Sequence, residues 1–111
     1  MAITKINENE LNKIKESSAE NKVLVFSAPA WCSPCRILHG TLEQLEKNGE
    51  LQGVHVFEID IDESTQFATT HNIRSVPTSI KVDNDIKPIG NPLMGAGSGK
   101  DFVAWATKKV L

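Results

Sequence analysis

No apolar run in this 111-residue sequence approaches the about 20 residues needed to cross a bilayer. The first residues, Met1 to Glu8, lack the apolar core of a secretory signal. These absences predict a cytoplasmic protein with no membrane attachment. A surplus of basic charge is lacking too: the net charge is −2 and no run of Lys or Arg concentrates positive potential, so no nucleic-acid partner is expected. Cysteine is scarce, with two residues in all. In a reducing compartment such a pair reads as catalytic or metal-binding rather than as a permanent staple. There is no internal repeat, low-complexity tract or linker, and the length suits a single domain over 1–111. The hydrophobic share of 40% and charged share of 23% are those of a soluble globular chain.

What is present alternates between helical and extended patterns. Asn7 followed by Glu10 resembles a capping signal, and Leu11 and Ile14 continue as an apolar stripe, predicting a helix from about Glu8 to Ala19. Lys22 to Phe26 is a run rich in β-branched residues that suits a strand buried on both faces. Leu38, Leu42 and Leu45 fall at helical spacing, closed by Asn48-Gly49. Val54 to Ile61 is a second strand, and Ser64 can cap a third helix carrying Phe67, Ala68 and His71. Thr78 to Val82 alternates as a strand, and Asp83-Asn84-Asp85 is a turn. Ile86 to Met94 is extended but held to a sheet edge by Pro88 and Pro92. Ser98 and Asp101 open a last helix with the apolar face Phe102, Val103, Ala106 and Val110. With a short strand around Ala2 to Ile6, the order implies an α/β fold: a mixed five-stranded sheet flanked by four helices.

Trp31-Cys32-Ser33-Pro34-Cys35 stands where the first buried strand gives way to the Leu-faced helix. Two intervening residues bring both sulfurs onto one helical turn, so a disulfide can form with little backbone movement. Cys32 falls at the helix N-terminus, where unpaired N–H groups and the helix dipole favour thiolate, the species that attacks disulfides. Cys35, one turn deeper, is expected to be less exposed. Pro34 suits the first helical turn, where its missing N–H has no partner to lose. A structural zinc needs four ligands, and two Cys with His39, His55 and His71 on separate elements do not provide that spacing. The motif therefore favours redox chemistry with no metal and no cofactor beyond the Cys32–Cys35 disulfide.

At this point the sequence resembles the thioredoxin family over nearly its whole length. Ala30 to Cys35 is similar to the family's W-C-G-P-C active site. Asn72-Ile73-Arg74-Ser75-Val76-Pro77-Thr78 is similar to its second signature, whose proline is cis and faces the disulfide. Met94-Gly95-Ala96 is similar to its V-G-A segment. The resemblance implies a thioredoxin fold, a protein-disulfide reductase, disulfide-containing protein substrates, and electrons from NADPH through a thioredoxin reductase. No G-x-G-x-x-G is present for this chain to bind NADPH itself. It implies a substrate groove of Trp31, Val76, Pro77, Gly95 and Ala96, tuning by Ser33 and Pro34, and a monomer.

The departures from the family pattern shape the expectations further. Phe26 stands where the family usually has a buried Asp that assists proton transfer, and Glu58 stands where it often has a Lys. Glu58 is accordingly a candidate general base for Cys35, against the alternative of a surface carboxylate or one paired with a Lys. Gly40 replaces a kinking proline and would leave the helix straighter or more easily frayed. His39 reads as a solvated helix-face residue, with thiolate stabilisation as the alternative. Two other functions remain open: an oxidant or isomerase of the same fold, and a binding module that does not turn over.

Overall fold

The computed structural model describes residues 2–110, and the elements run β1 (Ile3–Ile6), α1 (Asn12–Glu16), β2 (Asn21–Ser27), α2 (Ser33–Lys47), β3 (Val54–Asp60), α3 (Thr65–Thr70), β4 (Thr78–Val82), β5 (Pro88–Met94) and α4 (Gly99–Thr107). The five strands form one mixed sheet in the order β1-β3-β2-β4-β5. β3 runs parallel to both β1 and β2, whereas β4 is antiparallel to β2 and to β5. The four helices and five strands are those expected from the sequence, with Pro88 and Pro92 on the edge strand β5.

Strand alternation divides the core into two clusters. Leu24 and Phe26 of β2 and Phe57 and Ile59 of β3 join Ile14 of α1 and Phe67 of α3. The intervening positions, Val23 and Val25 of β2 with Val54 and Val56 of β3, join Leu38, Leu42 and Leu45 of α2 and Phe102 of α4. This is the period-2 geometry of a sheet with both faces covered. Two lysines on the sheet are also buried. Lys22 Nζ donates to Ile14 O at 2.7 Å and Lys81 Nζ donates to Lys108 O at 2.6 Å. Each cation thus meets carbonyls at the end of a helix, where the macrodipole is negative.

Two helix boundaries and one cap differ from expectation. α1 is shorter than Glu8 to Ala19, because the Asn7 and Glu10 groups close a separate turn. Glu10 N–H donates to Asn7 O at 2.9 Å and Asn7 N–H to Glu10 Oε1 at 3.1 Å. Ser64 occupies the N-cap of α3 without capping it; its Oγ accepts Glu8 N–H, and Glu8 Oε1 accepts Phe67 N–H at 2.9 Å in its place. α4 stops at Thr107, so Val110 lies beyond it and is exposed. Gly40 does not interrupt α2, which continues to Lys47.

Candidate functional site

The chain leaves the C-terminal end of β2, turns through Ala28 to Trp31 and enters α2 at Ser33. Cys32 is the N-cap of α2, in an extended conformation (φ −106°, ψ 104°), and its sulfur accepts Cys35 N–H at 3.1 Å. Pro34 sits in the first turn, as its missing donor allows. Cys32 and Cys35 form a disulfide with Cα atoms 5.2 Å apart. An N-cap sulfur holding a backbone N–H is placed to carry negative charge when the disulfide opens.

The two sulfurs face different surroundings. Cys32 Sγ lies 3.7 Å from Val76 O, and Cys35 Sγ accepts Ala28 N–H at 3.5 Å. The expected difference in exposure is not found: the residues are 5% and 4% exposed, because Val76 and Ala28 pack on the pair from both sides. What separates them is direction. Cys32 faces the segment before β4, and Cys35 faces a cavity beneath α2.

Val76-Pro77 is a cis peptide, and Pro77 O accepts Gly95 N–H at 2.9 Å, which ties the end of β5 to the start of β4. Gly95 has φ +76°, a conformation that side chains rarely adopt. Trp31 is 61% exposed beside the disulfide, and Met94 is exposed at the end of β5. Trp31, Val76, Pro77, Gly95 and Ala96 all lie in the loops around this end of the sheet, while Ser33 and Pro34 are exposed on the first turn of α2. Asp62 was not legible as part of this surface. Its Oδ2 accepts Trp31 Nε1–H at 3.0 Å and holds the indole, a partnership made across 31 positions of sequence. A loop Asp has no sequence signal that distinguishes this use from an ordinary turn.

The family model for thioredoxin matches residues 2–108. The chain belongs to the thioredoxin family. It is 33% identical over 107 residues to the thioredoxin of Rickettsia conorii, covering 89% of this chain and 98% of that one. It is 32% identical over 80 residues to the thioredoxin of Rickettsia bellii, covering 66% and 75%. Its fold superposes on the thioredoxin of Malassezia sympodialis with a TM-score of 0.76 at 22% identity, covering 96% of this chain and 91% of that chain. With the paired cysteines at the head of α2, this thioredoxin is a thiol–disulfide oxidoreductase that reduces protein disulfides.

The departures noted in the sequence resolve into two separate environments. Phe26 is fully buried against Phe67, with ring centroids 5.6 Å apart. Glu58, on β3, faces the other way and lies under α2. It is 8% exposed, and its Oε2 lies 2.7 Å from His39 Nδ1. His39 is therefore no freely solvated helix-face residue, and Glu58 is not a surface carboxylate and, among the described residues, is paired with His39 and not with a lysine. Cys35, His39 and Glu58 line one cavity of about 510 Å³, which Lys5, Arg36 and Asp60 also border.

Proposed function

We propose that this thioredoxin acts as a general reductant of cytoplasmic proteins, working as a monomer and recharged by a thioredoxin reductase. Cys32 thiolate attacks a substrate sulfur, giving a mixed disulfide and releasing one substrate thiolate. Cys35 then loses its proton and attacks Cys32. The second substrate thiolate leaves and two electrons have passed to the substrate, with Cys32–Cys35 oxidised. The exposed Trp31, with Val76, Gly95 and Ala96 over the buried Pro77, forms the docking surface for extended substrate backbone. Ser33 and Pro34 tune the couple, and the pair needs no other cofactor.

The observation that carries this reading is Cys32 Sγ at the α2 N-cap, in contact with Cys35 N–H on one side and Val76 O on the other. For the resolving step, Glu58 is the general base. Its support is the cavity shared with Cys35 and the buried Oε1, which has no hydrogen-bond partner among the described residues.

Insulin reduction driven by dithiothreitol tests the scheme. Cys32→Ser is expected to fall to the uncatalysed background. Cys35→Ser is expected to accumulate mixed disulfides identifiable by mass spectrometry. Equilibration with glutathione is expected to give a potential of about −270 mV, whereas about −120 mV would mark a strong oxidant. Full activity in a Cys32→Ser protein would overturn the reading in favour of a binding module.

A further inference from the structure

Glu58 is joined to solvent through one side chain. His39 Nδ1 lies 2.7 Å from Glu58 Oε2, and His39 Nε2 lies 3.4 Å from Glu43 Oε2. The side chains are graded in exposure along this line, at 9% for Glu58, 34% for His39 and 64% for Glu43. The remaining oxygen of the inner carboxylate, Glu58 Oε1, is buried and has no partner among the described residues, on the residue that borders the cavity with Cys35. A buried carboxylate with one oxygen bonded and the other free is a costly arrangement for packing alone. An imidazole spanning a buried and a surface carboxylate can take a proton at one nitrogen and release one from the other.

We infer that His39 is a positioning and proton-exit residue for the resolving cysteine, linking Cys35 through Glu58 to the surface at Glu43. The inference rests on the reading of Glu58 as the base for Cys35 and adds the route by which that base is cleared. As Cys35 sulfur bonds to Cys32 sulfur, the Cys32–substrate bond breaks and its electron pair leaves on the substrate thiolate. Glu58 enters the step with a proton on Oε2, shared with His39 Nδ1 across the 2.7 Å contact. The Cys35 proton passes to Oε1 as the Oε2 proton passes to Nδ1 and the Nε2 proton leaves towards Glu43 and solvent. One proton enters the line and one leaves it. The leaving thiolate takes its proton from solvent, so the step balances.

Other charged groups face this line. Lys5 pairs in register with Glu58 across β1 and β3, Asp60 follows two positions along β3, and Arg36 borders the same cavity from α2. Glu63 completes the rim from the loop before α3. None of these forms an ion pair with His39 or Glu58 among the described residues, whereas Glu43 and Glu58 both flank the imidazole.

The test separates the two chemical steps by stopped-flow mixing of the full-length reduced protein with a disulfide peptide. His39→Gln retains an amide able to bond Glu58 but cannot relay a proton. It is expected to slow resolution about tenfold, with buffer-dependent rates as small external bases substitute for the missing exit. Formation of the mixed disulfide, followed separately in a Cys35→Ser background, is expected to be unchanged. His39→Ala is expected to recover resolution on addition of free imidazole, a response that a merely structural role would not give. Unaltered folding of each variant is checked by circular dichroism. If Glu58→Gln slows resolution while His39→Gln leaves its rate and pH profile unchanged, the exit route is overturned and the base reading survives. If neither variant changes resolution, both are overturned. If His39→Gln slows resolution and Glu58→Gln does not, the linkage through Glu58 is overturned.

Discussion

The two faces of the sheet below the disulfide solve opposite problems. On the face covered by α1 and α3, Leu24, Phe26, Phe57 and Ile59 continue an unbroken apolar layer up to the active-site end. On the face covered by α2 and α4, the layer of Val23, Val25, Val54 and Val56 stops at Glu58, and a cavity lined by Glu58, His39 and Cys35 takes its place. Both positions sit on neighbouring strands, with Phe26 in register with Ile59 and Val25 in register with Glu58. Alternation alone sends Phe26 and Glu58 to opposite sides. Glu58 therefore lies on the α2 side of the sheet, where it lines the same cavity as Cys35 and has a histidine partner from α2.

This contrast can be broken by substitution, and the largest effect is expected on the apolar face. Phe26→Ala should cost about 3–5 kcal/mol in urea unfolding, through lost burial and the cavity left beside Phe67. Its folded fraction should still reduce insulin. A loss below about 1 kcal/mol would show that the layer is not the tightly packed core described here.

Glu58→Leu should do the reverse. Removing a buried carboxylate with an unpartnered oxygen should hold stability within about 1 kcal/mol of the parent or raise it. Resolution of the mixed disulfide should nevertheless slow. Destabilisation by several kcal/mol would mean that Glu58 supports the fold rather than the chemistry.

A smaller effect is expected in the helix that roofs the cavity. Gly40 is exposed in the middle of α2, and an added Cβ would meet nothing within 4 Å. Gly40→Ala should stabilise the protein by about 0.5–1 kcal/mol, because glycine surrenders more backbone freedom on folding than alanine does. Chemical denaturation measures this directly, and no gain would place a distortion at this turn.

The smallest effect returns to the apolar face. His71 packs against Phe26 and Phe67, and burial holds its pKa below the usual histidine value. The unfolded chain then binds the proton more readily than the folded one. The stabilising difference is complete above about pH 6.5, the ordinary histidine value, and is lost as pH falls from there through the folded value. His71→Phe should therefore flatten the decline in thermal midpoint between pH 7.5 and 5.5. An unchanged slope would assign the decline to other groups.

Much of this was legible because it depends on local order in the chain. Cys32 and Pro34 announce a helix start, since N-cap and first-turn chemistry act within a few residues. The β-branched run at Lys22 to Phe26 announces a strand buried on both faces, and Val54 to Ile61 announces a second strand. Local signals misled where another group took over the expected bond. Glu8, far along the chain, caps α3 where Ser64 was expected to, and a turn at Asn7 absorbed the signal for α1. The partnerships of Trp31 with Asp62 and of His39 with Glu58 were illegible for the same reason.

By itself the sequence determined a redox pair at the head of a helix, the succession of strands and helices around it, and the family to which these belong. Periodicity, capping and spacing are properties of neighbours in the chain, so they survive without coordinates. Only the tertiary structure decided which side chains meet across the sheet: Cys35 over a cavity, Glu58 within it, His39 between that carboxylate and the surface. Such meetings follow from the register of β3 on β2 and the seating of α2 above them, and no local rule encodes either.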